Sequence, residues 1–420
     1  MISEPSTPDS TDPFAHPAPP GSRPRLAILG AGPVGLEAAL AAREGGFPHR
    51  VYEKARQPAG HVRRWGHVRL FTPWRMNVSE RMRRALAEAG IPFELDPEEA
   101  PTGHDYADAL LDPLWHSPLL SGALHTGTEV VGVTRAGLLK DDAIGSPDRG
   151  AGPFRILLRD GRGRERAEYA EIVLDCTGVR SRPNPLGDGG IPAPGETALE
   201  SRIHREIPDF EDDAGEWSGR TILLTGGGHS AQTAARALDR IARHDPDTRV
   251  LWALRAPLSL AEDPADDPLP HRAELARAAQ ALARGEGALE VLEGFVVDAL
   301  EPAGGRVAIR LRRRDGAEMR TVEAERILAL HGGVPDERIH RQLQFHECYA
   351  TSGPMKLAAA LLGSAGGDCL TQVSHGVETL LNPEPDFFVL GEKSYGRNNT
   401  FLLQVGWSQV DEIFGHLADR

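Results

Sequence analysis

Apolar and polar positions follow one another along this chain in an order that occurs twice. The run Arg25-Leu-Ala-Ile-Leu29 has the length of a strand, and the Ala- and Leu-rich stretch Leu36 to Arg43 follows it. A short apolar run before a longer helical stretch predicts strand, turn and helix. The next apolar run ends at Val51-Tyr52-Glu53. The same order returns with Thr221-Ile-Leu-Leu-Thr225, a helical stretch from Gln232 to Ala242, and a strand from Val250 to Leu254. Helices are also predicted over 80–89, 272–284 and 401–417, and an alternating strand over 307–312. Residues 257–267 read as a loop, and the Gly- and Pro-rich 184–197 as a linker. Strands alternating with helices place the chain in the α/β class.

Glycine joins each strand to its helix. In Gly30-Ala-Gly32-Pro33-Val34-Gly35, Gly30 allows a tight turn and Gly32 lets backbone approach a pyrophosphate. Gly35 lets the helix pack closely on the strand. The helix N-terminus then offers unpaired N–H groups and a positive dipole end to phosphate. Glu53 falls about 20 residues after the first glycine, where a carboxylate accepts hydrogen bonds from ribose hydroxyls. A purely structural glycine turn is the plain alternative. The second turn reads Gly226-Gly-Gly228-His229-Ser230-Ala231, with Ala231 in the third small position and His229 and Ser230 as candidate phosphate contacts. Arg255 stands at the end of its following strand. A guanidinium there pairs with a 2′-phosphate where a carboxylate repels it, which predicts NADPH over NADH; the alternative is an ordinary solvated arginine. Two turns in one chain imply two different dinucleotides, FAD at the first and NADPH at the second.

Composition narrows the partners. The 420 residues carry 47 Lys plus Arg against 61 Asp plus Glu, a formal charge of −14, and 40% are hydrophobic. That suffices for a folded core and argues against nucleic acid as a partner. No apolar window approaches the ~18 residues of a membrane span. Residues 1–24 read as a disordered tail and not a signal peptide, so a cytoplasmic location is expected. Cys176, Cys348 and Cys369 are far apart, which disfavours a disulfide framework, a zinc knuckle and an internal dithiol cycle; no metal is expected.

With these motifs the chain from Arg25 to Leu417 resembles the two-dinucleotide-binding-domain flavoproteins, and within them the flavin-containing monooxygenases and their bacterial relatives. The resemblance implies two Rossmann-like domains, with an NADPH domain (215–330) inserted into a discontinuous FAD domain (25–214 and 331–420). Leu174-Asp-Cys-Thr177-Gly178 looks like the crossover after the first FAD half, and 330–336 like its counterpart after the NADPH domain. Phe387-Phe-Val-Leu-Gly391-Glu392 resembles the closing FAD motif whose acid binds the ribityl chain, here Glu where Asp is commoner. The resemblance extends the cofactor contacts to Pro33, Val34, Lys54, Trp74, Val130 and Phe401.

The loop with Lys393, Arg397, Asn398 and Asn399 is expected at the flavin ring edge, or else is a polar turn. In Trp74-Arg-Met-Asn77-Val-Ser79-Glu-Arg-Met82 the offsets match those relatives, which assigns Asn77 to catalysis beside the flavin; the alternative makes Asn77 or Ser79 a helix N-cap. His61, Trp65, His67, Phe71 and Trp74 are expected to wall the flavin, or to pack in the core. The implied activity is an NADPH-consuming, FAD-dependent monooxygenase that uses molecular oxygen on a small molecule through a flavin hydroperoxide. Nitrogen or sulfur is the open target, since the fuller signature of Baeyer–Villiger enzymes is missing around His204. Two alternatives stand beside it: a flavin reductase serving a quinone, metal or protein acceptor, and a nucleotide-occupied sensor. Self-association as a homodimer is compatible with all three.

Overall fold

The computed structural model describes residues 12–19, 21–258, 267–363, 370 and 372–420. Cys369, most of the loop expected at 257–267, and residues 1–11 of the expected tail lie outside the described residues.

The chain forms two compact units. The first comprises the chain up to Gly66, Pro73–Arg182 and Val334–Arg420; the second comprises His67–Thr72 and Pro183–Gly333. In chain order the strands are β1 (Leu26–Leu29), β2 (His49–Tyr52), β3 (Leu124–His125), β4 (Thr128–Arg135), β5 (Phe154–Asp160), β6 (Glu165–Ala170) and β7 (Ile172–Asp175). Then come β8 (Ile203–His204), β9 (Thr221–Thr225), β10 (Arg249–Leu254), β11 (Glu290–Glu293), β12 (Phe295–Ala303), β13 (Arg306–Arg313), β14 (Met319–Ala324), β15 (Arg326–Ala329) and β16 (Phe387–Val389). The longer helices are α1 (Pro33–Glu44), α2 (Glu80–Glu88), α3 (His229–His244), α4 (Pro270–Ala283), α5 (Met355–Gly363) and α6 (Leu403–Ala418).

In the first unit a parallel sheet runs β16-β7-β1-β2-β3, with β1 central and wholly buried. Such burial on both faces explains why 26–29 is a continuous apolar run and not an alternating one. Pro33 opens α1 with its φ already set for a helix. Residues Val34 to Ala42 are buried throughout, because α1 packs on its sheet and against α2 and α6. A small antiparallel sheet, β4-β5-β6, covers the chain between β3 and β7.

The second unit repeats the plan with a parallel sheet, β11-β10-β9-β15-β8, and an antiparallel β12-β13-β14. The architecture is therefore the expected one, a nucleotide-type α/β unit inserted into another. The chain leaves the first unit after Arg182, earlier than the boundary at 214 read from sequence. Strand β8 accounts for this, since Ile203 and His204 pair with Ile327 and Leu328 of β15. The expected linker is an ordered loop. The buried Glu196 carboxylate accepts the N–H groups of Leu186, Gly187 and Ala193 at 2.7, 3.2 and 2.7 Å.

Residues 12–19 are also not a loose tail. Phe14 is 4% exposed, its ring lies beneath the Arg25 and Arg50 guanidiniums at 5.4 and 4.5 Å, and Asp12 accepts from Arg50 at 2.7 Å. The Phe14 carbonyl accepts from the Tyr169 N–H at 2.8 Å. Among the described residues no helix is long and apolar enough to cross a membrane.

Candidate functional site

The parallel register sets Leu29 beside Tyr52 and Asp175, so Gly30 leaves the sheet between the ends of β2 and β7. Its N–H donates to the Tyr52 carbonyl at 2.8 Å and its φ is +95°. A Cβ there would lie 2.8 Å from the Cys176 carbonyl oxygen, and one on Gly35 only 2.0 Å from that of Gly30. Gly32 differs, since a Cβ on it would meet nothing within 4 Å. That open cradle faces a helix start whose Ncap, Gly32, supplies no side-chain acceptor, so first-turn N–H groups of α1 and its positive end are left for an anion.

Glu53 closes the turn from the side. Its Oε2 accepts from the Ala31 N–H at 2.9 Å and its Oε1 from the Ala55 N–H at 2.8 Å. Positive charge gathers nearby: burial, and then Arg180, Arg64 and Lys54, push the His61 imidazole down to about 3. Gly391 has φ +72°, donates its N–H to Gln409 Oε1 at 2.8 Å, and would carry a Cβ 3.1 Å from Val34 Cγ2. The closing motif therefore meets the first turn at Val34. Glu392 is paired with Arg180 at 3.1 Å, two residues beyond Gly178. Thr177 donates its hydroxyl to Asp175 Oδ1 at 2.6 Å.

Other sequence candidates sit further into the packing. Trp74 is 3% exposed, with its ring against Phe93 and Tyr106 at 5.5 and 5.9 Å between centroids. Val130 is half-buried against the core under β4 and β5, and Phe401 packs edge-on to Tyr395 at 5.4 Å. Lys54 is exposed. Asn77 is 2% exposed and donates from Nδ2 to the Pro73 carbonyl at 3.0 Å, while its own carbonyl accepts from the Tyr106 hydroxyl at 2.9 Å. The cap of α2 is Ser79, which accepts the Met82 N–H at 2.9 Å. The expected aromatic wall divides: His61, Trp65 and Trp74 belong to the first unit, and His67 and Phe71 to the second. There Phe71 meets the His229 ring edge-on at 5.0 Å, and both His67 and Phe71 line a cleft of 390 Å³ along α3 and α4.

In the second turn Gly226 has φ +117°, and a Cβ would lie 2.4 Å from the Leu330 carbonyl oxygen. Gly228, the Ncap of α3, is again open, and Ala231 is fully buried. The Gly226 carbonyl accepts from the indole N–H of Trp252 at 2.9 Å. His229 and Ser230 are the first two residues of α3. Arg255 is exposed beyond β10, and its guanidinium has no ion pair or hydrogen bond of its own among the described residues. Its carbonyl accepts from Arg314 Nη1 at 3.4 Å, which brings a second guanidinium to the same edge. Open cradles, free helix starts and these charges suit a dinucleotide in each unit, the second with an extra phosphate.

Solved structures with this architecture span nearly the whole chain. The bacillithiol disulfide reductase Bdr (YpdA) from Bacillus cereus is 18% identical, with a TM-score of 0.68 over 95% of this chain and 100% of that one. DfoA from Erwinia amylovora, a cadaverine monooxygenase bound to FAD, is 13% identical, with a TM-score of 0.64 over 95% of each chain. The chain has the fold of the two-dinucleotide-binding-domain flavoproteins. The ornithine N-hydroxylase KtzI from Kutzneria sp. 744, solved with reduced FAD, NADP+ and L-ornithine, is 15% identical, with a TM-score of 0.61 over 95% and 100%. No family model matches the sequence, and no curated protein does. At these identities the likeness establishes the fold.

Two residues escaped the sequence reading, and a third was read in another role. Arg180 and Arg314 lie in polar loops without a motif. Lys393, expected at the flavin ring, is instead 1% exposed and bonded to Asp175 Oδ2 at 2.6 Å, Thr177 Oγ1 at 3.1 Å and the Asp336 carbonyl at 3.0 Å. No local pattern marks partners so distant in the chain. Among the described residues no group of three or more His, Cys, Asp or Glu side chains is arranged to hold a metal ion.

Proposed function

We propose that this protein is an FAD-dependent, NADPH-consuming monooxygenase that oxidises a small molecule at nitrogen or sulfur. The observation that carries the reading is the pair of glycine turns, each with an open cradle at its middle glycine, one beside a fixed carboxylate and the other beside an unengaged arginine. Gly30 to Gly35, Glu53, Thr177, Gly178, Gly391 and Glu392 would hold FAD; Gly226 to Ala231 and Arg255 would hold NADPH. Bound flavin supplies hydride acceptance and the reaction with oxygen. The chain's own part is to bind, orient and shield: N–H groups of two helix starts take the pyrophosphates, and Glu53 accepts from ribose hydroxyls.

Cysteine chemistry argues against a dithiol cycle through Cys176. Burial beside the Asp175 carboxylate pushes the Cys176 thiol well up, so the cysteine next to the first turn is a thiol and not a nucleophilic thiolate. DfoA and KtzI, an amine and an amino-acid oxygenase with this fold, support nitrogen as the target. One contact favours the second reading, a reductase that serves an external acceptor. The Asn77 amide donates to the Pro73 carbonyl, a use that helix packing alone explains. The test is to supply the FAD-loaded protein with NADPH, oxygen and a panel of amines, thiols and ketones. Substrate-dependent oxygen uptake with a product one oxygen atom heavier supports the monooxygenase. NADPH oxidation that needs an added quinone or metal acceptor, with no oxygenated product, supports the reductase instead.

A further inference from the structure

Lys393 and Asp175 form an ion pair with side chains 1% and 0% exposed. The ammonium has three donors, and all three are used: on Asp175, on the Thr177 hydroxyl and on the Asp336 carbonyl. Asp175 is satisfied as well, since its other oxygen accepts the Thr177 hydroxyl at 2.6 Å and the Thr177 N–H at 3.1 Å. Burial would raise this carboxyl, but Lys393 and His340, followed by the hydrogen bonds from Lys393 and Thr177, outweigh it and hold it below the usual range. His340 lies beside the pair. It is 5% exposed, with Nδ1 4.0 Å from Asp175 and Nε2 3.7 Å from Glu347.

Stability alone does not call for this arrangement. Removing two charges from water costs about what their attraction returns, and a well-packed neutral pair commonly does as well. What the pair adds is geometry. Lys393 belongs to the closing turn Gly391–Tyr395, Asp175 ends β7 with Thr177 two residues beyond, and Asp336 belongs to the segment by which the chain re-enters the first unit. Those are pieces of chain far apart in sequence, and two of them carry the proposed flavin contacts Thr177, Gly178, Gly391 and Glu392.

We propose that Lys393 is a positioning residue for the flavin site: without touching the cofactor, it fixes the Thr177–Gly178 and Gly391–Glu392 turns in the spacing that binds it. This rests on the FAD reading of the first unit. The test uses the full chain, freed of flavin and titrated with FAD. Lys393→Met alone strands a buried carboxylate and risks misfolding, so the deciding variant is the double Lys393→Met/Asp175→Asn, which removes both charges. The expected result is an apoprotein unfolding midpoint close to wild type, an FAD dissociation constant raised about ten-fold or more, equivalent to ~1.4 kcal/mol, and an altered visible circular dichroism of the bound flavin at saturation. Wild-type affinity and spectrum in the double variant would overturn the inference. So would weaker binding that merely tracks lost stability, with an unchanged spectrum once saturated. A wild-type protein that takes up no FAD would sink the underlying reading instead, a separate result obtained before any variant is made.

Discussion

The two glycine turns follow one plan and depart from it in two places. Gly30 and Gly226 share a positive φ and press against the carbonyl one residue past the neighbouring strand, and Gly32 and Gly228 are both open. The third small residue differs. In the first turn a methyl group at Gly35 would sit 2.0 Å from the Gly30 oxygen, so nothing larger than glycine fits; in the second the equivalent carbonyl is taken by Trp252, and Ala231 packs without exposure. The strand ends differ as well. Glu53 is held by two backbone N–H groups opposite Gly30, whereas Arg255 lies one step further along its strand with its guanidinium unengaged. A pre-set acid suits a nucleotide that stays bound, and a free cation suits one that exchanges.

The most damaging change expected is Gly35→Val, which forces α1 off β1. Overpacking of this kind costs about 1–3 kcal/mol or more, and the purified protein should lose most of its flavin absorbance and melt earlier. The opposite change in the other turn, Ala231→Gly, removes helix propensity and one buried methyl group, about 2 kcal/mol together, and should leave NADPH affinity nearly intact. Equal damage from the two would erase the distinction between the turns. Arg255→Ala should weaken NADPH by roughly ten- to a hundred-fold, the scale of a charge-assisted hydrogen bond, and leave NADH unchanged in binding titrations; parallel losses would remove the 2′-phosphate contact.

Asn77→Ala should keep the flavin, lose about 1 kcal/mol of stability with the Pro73 hydrogen bond, and divert NADPH oxidation toward free peroxide. Lost stability with no extra peroxide would confine Asn77 to helix packing. The last effect concerns acid. His61 titrates near 6.5 when unfolded but only at about 3 when folded, so the unfolded chain takes up the proton first. Its contribution is whole above pH 6.5 and shrinks as pH falls below it. Burial is the leading cause of the shift, so melting of the apoprotein should fall between pH 6.5 and 5. His61→Ala should flatten that slope.

Both turns were legible in the sequence because glycine spacing, strand length and helix length are local properties. The same locality explains what was missed. Lys393 and Asp175 are 218 positions apart, and only folding brings them together. Trp74 carries no local sign of which way its ring will face, which is why both the flavin wall and the core stand as readings of it. The boundary near 182 was read too late because a two-residue strand, β8, leaves almost no periodicity to detect. The segment 67–72 sits among first-unit residues in sequence, yet folds with the second unit.

Phe14 gives the Pro-rich leader a practical meaning. Its ring fills a socket between two guanidiniums, one of which, Arg50, also binds the buried Glu168 at 2.7 Å. Trimming the protein back to Arg25 for crystallisation would empty that socket and wet a charge network beneath the sheet. A shortened version should start before Asp12.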